Sequence, residues 1–282
     1  MYFPADLTIV CTDLEGTLWP NEGGSLEAYA RGYHTSARSK LPTGLCDAPD
    51  GITLVDRVIR YRTFDGLPTG PDDVRDTVRR IDAAFGRMFP LSIRPYEDAL
   101  VAMRDLRVSP LHHCTVVTAN SALATILKVT SAGMTGVLDL ESGAYGCEHV
   151  DRGALVELAS HRVAETLQLA SVSPKQVVVI GDTVADAEAA RRAGTSFLGV
   201  LTGSGTADQL AAHISTWSEL TGMPTGHGYD YPSPGVGRVV DNLRGVAALT
   251  RELTTEALTS VERSPARPTV ARSRMGSKSF VV

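Results

Sequence analysis

Two pairs of acidic residues carry the clearest chemical signal in the sequence. Asp13 and Glu15 lie in Thr12-Asp13-Leu14-Glu15-Gly16-Thr17-Leu18, directly after the apolar run Leu7–Cys11. Asp182 and Asp186 lie in Gly181-Asp182-Thr183-Val184-Ala185-Asp186, directly after Gln176–Ile180. Carboxylates delivered to the end of a buried strand are costly unless something compensates them. A divalent cation and a transferring phosphoryl group would do so, the metal neutralising charge while a second carboxylate serves as an acid. A third apolar run, Cys114–Val117, ends at Thr118-Ala119-Asn120-Ser121, where a hydroxyl and the N–H groups of a helix start suit phosphate oxygens. Plainer roles exist for several of these residues. Asp13 can cap the next turn with Glu15 solvated, and Thr183, Asp186, Asn120 or Ser121 can each begin a helix. Asp182 has no such capping role, and Thr118 stands at the strand end itself.

These residues need a scaffold that brings strand ends together. The runs Leu7–Cys11, Cys114–Val117, Gln176–Ile180 and Ser196–Leu201 have strand length without strict alternation, as strands covered on both faces do. Helical spacing marks Glu97–Leu106, Ala122–Ala132, Arg152–Leu169 and Ala185–Ala193 between them. Strands alternating with helices predict an α/β fold, a doubly wound, Rossmann-like parallel sheet. In such a sheet the strand ends bearing Asp13, Thr118 and Asp182 share one edge. The first two runs are about 100 residues apart, where a crossover needs about a dozen, so a segment is inserted there. Leu54–Tyr61 and Val74–Phe89 in that segment read as helices, with Gly and Pro clustered at Leu41–Gly51 and Leu67–Pro71. The expected organisation is a core of residues 1–19 and 93–220, a small helical cap of 20–92, a C-terminal loop and helix over 221–261 (loop Gly222–Gly237, helix Val239–Val261), and a disordered basic tail over 262–282.

Together and in this order, the motifs resemble those of the haloacid dehalogenase (HAD) superfamily of phosphohydrolases. There a strand ends in a DxDGT-like motif, a later strand ends in Thr or Ser, a Lys or Arg follows, and a GDxxxD-like motif closes the set. Asp13, Thr118 and the Asp182/Asp186 pair match across roughly residues 6 to 220, and the insertion is similar to the helical cap of phosphoglycolate-phosphatase-like members. Two positions depart. Glu15 stands where most family phosphatases have Asp, as in the enolase-phosphatase branch. No lysine lies between Lys128 and Lys175, and Asp151-Arg152-Gly153-Ala154-Leu155 resembles the stretch of phosphoglycolate-phosphatase-like members in which the cation precedes a helix, which implies Arg152 as the cation, ahead of Arg94. The resemblance implies a phosphatase acting on a small-molecule phosphate monoester of sugar phosphate, phosphoglycolate or nucleotide type. It implies Asp13 as nucleophile forming an aspartyl phosphate, and Glu15 as general acid and base. Thr118, Ala119 and Arg152 would bind phosphate. Mg²⁺ would be held by Asp13, the Glu15 backbone carbonyl and Asp182, with Asp186 orienting these ligands from behind.

Composition narrows the alternatives. The chain has 282 residues, 43 % of them hydrophobic, which fits a globular protein. Its net charge of −5 is uneven: from Glu262 onward five basic residues face one acid, so residues 1–261 carry −9. An acidic body argues against a nucleic-acid partner, and no apolar run approaches the roughly 20 residues of a membrane span. A cytoplasmic location is expected, with protein partners unspecified. Cys11, Cys46, Cys114 and Cys147 form no CxxC pair, and with His112, His113 and His149 they make no zinc pattern; Cys11 and Cys114 read as small buried side chains. A phosphomutase of the same superfamily, or a catalytically silent binding protein, are the competing functions. Tyr29, Tyr33, His34, Arg57, Arg60, Tyr61 and Arg62 of the cap are open candidates for substrate contact or for plain packing.

Overall fold

The computed structural model describes residues 7–21, 25–33, 51–216 and 236–262. In chain order the described elements are β1 (Thr8–Thr12), α1 (Ser25–Tyr33), α2 (Leu54–Phe64), α3 (Pro71–Met88), α4 (Glu97–Val108), β2 (His112–Thr118), α5 (Ala122–Ser131) and β3 (Asp139–Tyr145). They continue as α6 (Arg152–Thr166), β4 (Val177–Gly181), α7 (Val184–Ala193), β5 (Ser196–Val200), α8 (Ala207–Ser215), β6 (Gly237–Val240) and α9 (Val246–Glu262). The strands form one six-stranded sheet in the order β3-β2-β1-β4-β5-β6, and every neighbouring pair is parallel. This is the doubly wound α/β architecture that the alternating pattern predicts.

Alternation along the central strands builds two cores. Ile9 and Cys11 of β1, with Val177 and Val179 of β4, face α6, α7 and α8. Val10, Val178 and Ile180 point to the other face, against Met103 of α4, Val129 of α5, and Leu253 of α9. Cys11 and Cys114 are buried free thiols whose pKa values burial pushes up to about 12, in keeping with a packing role. The helices inserted between β1 and α4 bury a third cluster of Ala28, Tyr29, Leu54, Val58, Ile81 and Phe85, which also takes in Ala124 of α5.

Two strands escape the sequence pattern. β3 reads DLESGAY and is half-exposed along its first residues, and β6 is only four residues long, GRVV; both lie at sheet edges. Edge strands need no apolar side chains on both faces, so their sequence lacks the central strands' continuous run. Part of the helix expected over Val239–Val261 is therefore strand: Val239 and Val240 pair beside Gly199 and Val200, and the helix begins only at Val246. The short helices α1 and α8 were also not anticipated. The expected loop Gly222–Gly237 lies outside the described residues apart from its last two. Cys46, His34 and the tail beyond Glu262 lie outside them altogether. No helix among the described residues is long and apolar enough to cross a membrane.

Candidate active site

Strand register decides which residues meet. Thr12 of β1 is level with Val116 of β2 on one side and Ile180 of β4 on the other. The residue after Thr12 therefore emerges beside Val117-Thr118 and Gly181-Asp182. The Asp13 amide fixes the exit by donating to the Ile180 carbonyl at 2.8 Å. Asp13, Asp182 and Asp186 each place a carboxylate oxygen within 4.8 Å of the others, and all three are buried.

Each acid reaches this point by a different local device. Asp182 is fully buried in the turn after β4, where it accepts from the Thr17 hydroxyl at 3.1 Å and the Ser204 amide at 2.9 Å. Gly16, at φ +81°, and Gly203 lie against that carboxylate, and a methyl group on either would collide with it. Thr183, not Asp186, is the N-cap of α7, accepting from the Asp186 amide; the Asp186 carboxylate completes the capping box at the Thr183 amide, 3.0 Å away. Capping consumes only Oδ2 of Asp186, and Oδ1 faces the cluster.

Arg152 answers that charge. It opens α6 behind Asp151, which caps the helix by accepting from the Gly153 amide at 2.8 Å. Its Nη2 lies 2.8 Å from Asp13 Oδ1 and 2.5 Å from Asp186 Oδ1, while Nη1 donates to the Gly51 carbonyl at 3.1 Å. One guanidinium among three carboxylates leaves an excess of negative charge. Burial pushes the Asp13 pKa well above the usual carboxylate range despite Arg152, with Asp186 and Asp182 adding to the rise. Asp182 is raised to about 6, by burial first and Asp186 second. Arg94, the competing cation, is exposed, whereas Arg152 is buried against the acids.

Thr118 closes β2 fully buried, its hydroxyl accepting from the Asn120 side chain at 2.9 Å and amide at 3.3 Å. Ser121 is the N-cap of α5. The Ala119 carbonyl accepts from the Leu54 amide at 2.9 Å, which ties the start of α2 to the turn expected to hold phosphate.

Glu15 belongs to a second cluster, which the motif reading did not foresee. Lys128 of α5, fully buried, puts Nζ 2.7 Å from Glu15 Oε1, 2.6 Å from Ser25 Oγ and 2.6 Å from Asn120 Oδ1. Ser25 in turn donates to Glu15 Oε1 at 2.8 Å, and Asn120 donates to Oε2 at 2.9 Å. Burial would raise the Glu15 pKa, but the Lys128 charge and these hydrogen bonds outweigh it and hold the carboxyl below its ordinary value. A signal for Lys128 exists in the sequence. It falls in step with Ala124, Thr125 and Val129 on the buried stripe of α5, where a lysine needs a charged partner.

Among the cap candidates, several have packing roles. Arg62 is buried against Thr77 at 3.0 Å and Asp73 at 3.2 Å, Arg60 pairs with Asp56, and Tyr33 donates to Asp65 at 2.8 Å. Tyr61 is buried. Arg57 lies over the ring of Tyr29, 5.6 Å from its centroid.

Comparison with known proteins agrees with this architecture. Residues 152–219 match the Hydrolase_like family model, described as HAD-hyrolase-like. No curated protein matches the sequence. A hydrolase from Pseudomonas syringae superposes with a TM-score of 0.57 at 14 % identity, over 87 % of this chain and 98 % of that one. A predicted phosphatase from Clostridium acetobutylicum gives 0.57 at 15 %, over 88 % and 99 %. A HAD hydrolase, family IA, variant 3, from Entamoeba histolytica gives 0.55 at 12 %, over 88 % and 99 %. The fold is that of the HAD-like hydrolases, and the segment carrying Arg152, Asp182 and Asp186 is the one their family model matches.

Proposed function

We propose that the chain is a cytoplasmic, Mg²⁺-dependent phosphatase that hydrolyses a small-molecule phosphate monoester through an aspartyl phosphate on Asp13. The observation carrying this reading is the buried trio Asp13, Asp182 and Asp186, with Arg152 paired to Asp13 and Asp186, at the C-terminal edge of the sheet where Thr118 ends β2. The donor set fits a hard divalent cation: three carboxylates, with excess negative charge and, among the described residues, no nitrogen or sulfur ligand in the cluster. Asp13, Asp182 and the Glu15 backbone carbonyl would hold Mg²⁺, with Asp186 orienting them; bound there, the ion neutralises carboxylate charge and polarises a phosphoryl oxygen. Asp13 Oδ attacks phosphorus in line with the departing oxygen, and water then cleaves the acyl phosphate. The Thr118 hydroxyl, the Ala119 amide and the Arg152 guanidinium stabilise the equatorial oxygens as charge spreads over them. The helices of residues 25–33 and 51–88 would shield the reacting groups from bulk water and select the substrate. The Glu15 side chain is not carried over as general acid and base, because its oxygens already serve Lys128, Ser25 and Asn120.

The test is phosphate release from a panel of sugar phosphates, phosphoglycolate and nucleotides, with Mg²⁺, with EDTA, and with Asp13→Asn. Turnover that needs Mg²⁺ and vanishes in Asp13→Asn is expected. Metal-dependent turnover surviving Asp13→Asn would remove Asp13 as nucleophile, and no turnover on any substrate would favour a binding role.

A further inference from the structure

Resting on the phosphatase reading, a contact between the inserted segment and Arg152 adds a residue to the site. We infer that Gly51 is a positioning residue for Arg152: its backbone carbonyl, delivered by a strap of residues 51–55, turns the guanidinium so that Nη2 reaches Asp13 and Asp186.

The strap meets three turns of the core within five residues. The Gly51 carbonyl accepts from Arg152 Nη1 at 3.1 Å, and the Thr53 hydroxyl donates to the Val150 carbonyl at 3.2 Å. The Leu54 and Val55 amides donate to the carbonyls of Ala119 at 2.9 Å and Gly146 at 2.8 Å. Both amides open α2, where no carbonyl of the helix itself can serve them, so the core supplies what the helix start lacks. Thr53 is the N-cap of the same helix and accepts from the Asp56 amide. Thr53, Leu54 and Val55 are buried, which holds the strap by packing as well as by hydrogen bonds.

The approach to Arg152 depends on a glycine. Gly51 has φ +83°, and a methyl group there would lie 2.5 Å from Ala185 Cβ and 3.1 Å from Arg152 Nη1. Any side chain would therefore strain the backbone and push the carbonyl away from the guanidinium. The planar guanidinium links its two terminal nitrogens rigidly, so the acceptor on Nη1 sets where Nη2 points. Nη2 lies 2.8 Å from Asp13 Oδ1 and 2.5 Å from Asp186 Oδ1, with the Val117 carbonyl 3.5 Å away. The seat of the inserted helices and the aim of the cation are thus set together.

A double-mutant cycle on the full chain with Mg²⁺ tests this, using the best substrate of the phosphatase panel. kcat, KM and melting temperature are measured for wild type, Gly51→Ala, Arg152→Lys and the double variant. Gly51→Ala is expected to lower kcat about tenfold while KM changes less than about threefold. In the Arg152→Lys background, which has no Nη1 to aim, the same change should cost less than about twofold. Thr53→Val is close to isosteric and frees the strap from the Val150 carbonyl without a backbone clash. It should show the same pattern at about threefold, and it carries the comparison if Gly51→Ala fails to fold. An equal fall in both backgrounds means that the strap acts on the structure at large and overturns the inference, as does an unchanged kcat in the wild-type background. Either result leaves the phosphatase reading intact, whereas a wild type that releases phosphate from no substrate overturns both.

Discussion

Lys128 and Glu15 form an ion pair of 2.7 Å between a helix of the core and the loop that follows the first strand, with the lysine side chain wholly buried and the glutamate 16 % exposed. A pair so enclosed gains little over well-packed neutral residues, but breaking it from one side leaves a stranded charge. Lys128→Met is expected to lower folding stability by about 3–5 kcal/mol. Lys128→Met combined with Glu15→Gln, which removes both charges at similar volume, should recover most of that loss. Urea denaturation of the three proteins checks it; equal losses in the single and double variants would show that the pair is not what holds the loop to α5.

Metal binding should be visible as stability before any activity is measured. Asp182 is buried beneath Gly16 and Gly203 with its carboxylate already oriented by Thr17 and Ser204, so the site needs little rearrangement. At a Mg²⁺ concentration 100-fold above Kd, mass action adds about 2.7 kcal/mol. Thermal melts should therefore rise with Mg²⁺ and fall back with EDTA, and Asp182→Asn should abolish the response. A shift of equal size in Asp182→Asn would place the ion elsewhere.

How much of this could be read in advance follows from burial. The central strands TIVCT and VVVIG are enclosed on both faces and announce themselves as apolar runs, and their exits carry Asp13 and Asp182. Arg152 was legible only through the resemblance of Asp151-Arg152-Gly153-Ala154-Leu155 to the family's cation-bearing stretch. β3 and β6, at the sheet edges, obey no such rule. Lys128 was missed for a different reason: its partner Glu15 lies 113 positions away, and only the folded chain shows that the two meet. The capping residues resolved in favour of Thr183 and Ser121, a choice between adjacent polar residues that spacing alone leaves open.

A second long-range contact, far from the acidic trio along the strands, predicts the acid limb of stability. His113 of β2 bonds Asp139 of β3 at 2.9 Å, and Ser142 donates to the same carboxylate. The His113 hydrogen bond, opposed by burial and helped by Ser142, holds the Asp139 pKa well below its ordinary value. A carboxyl depressed in the folded state contributes stability above its unfolded pKa, about 3.9, and loses it as pH falls toward the folded value. The stability gap between wild type and Asp139→Asn should therefore be full at neutral pH and close progressively below about pH 4. Melts between neutral and strongly acid pH measure it. A gap that widens on acidification would mean that the carboxylate is not the stabilising form.

Arg152 makes the sharpest distinction between charge and shape. Its Nη2 spans Asp13 and Asp186 while Nη1 holds the Gly51 carbonyl, an arrangement that uses the planar fork and that a single ammonium cannot reproduce. Arg152→Lys keeps the positive charge and should fold, yet Asp13 would lose the partner that aims it at phosphorus. The expected loss in kcat is about 100-fold, with KM changed far less, because the missing donors act on the charge that develops in transfer. Arg152→Ala should lose at least as much activity and also melt lower, since two buried carboxylates are then unpaired. Comparing kcat, KM and melting temperature across wild type, Arg152→Lys and Arg152→Ala separates the two contributions. If Arg152→Lys keeps wild-type kcat, charge alone suffices and the fork geometry has no part in catalysis.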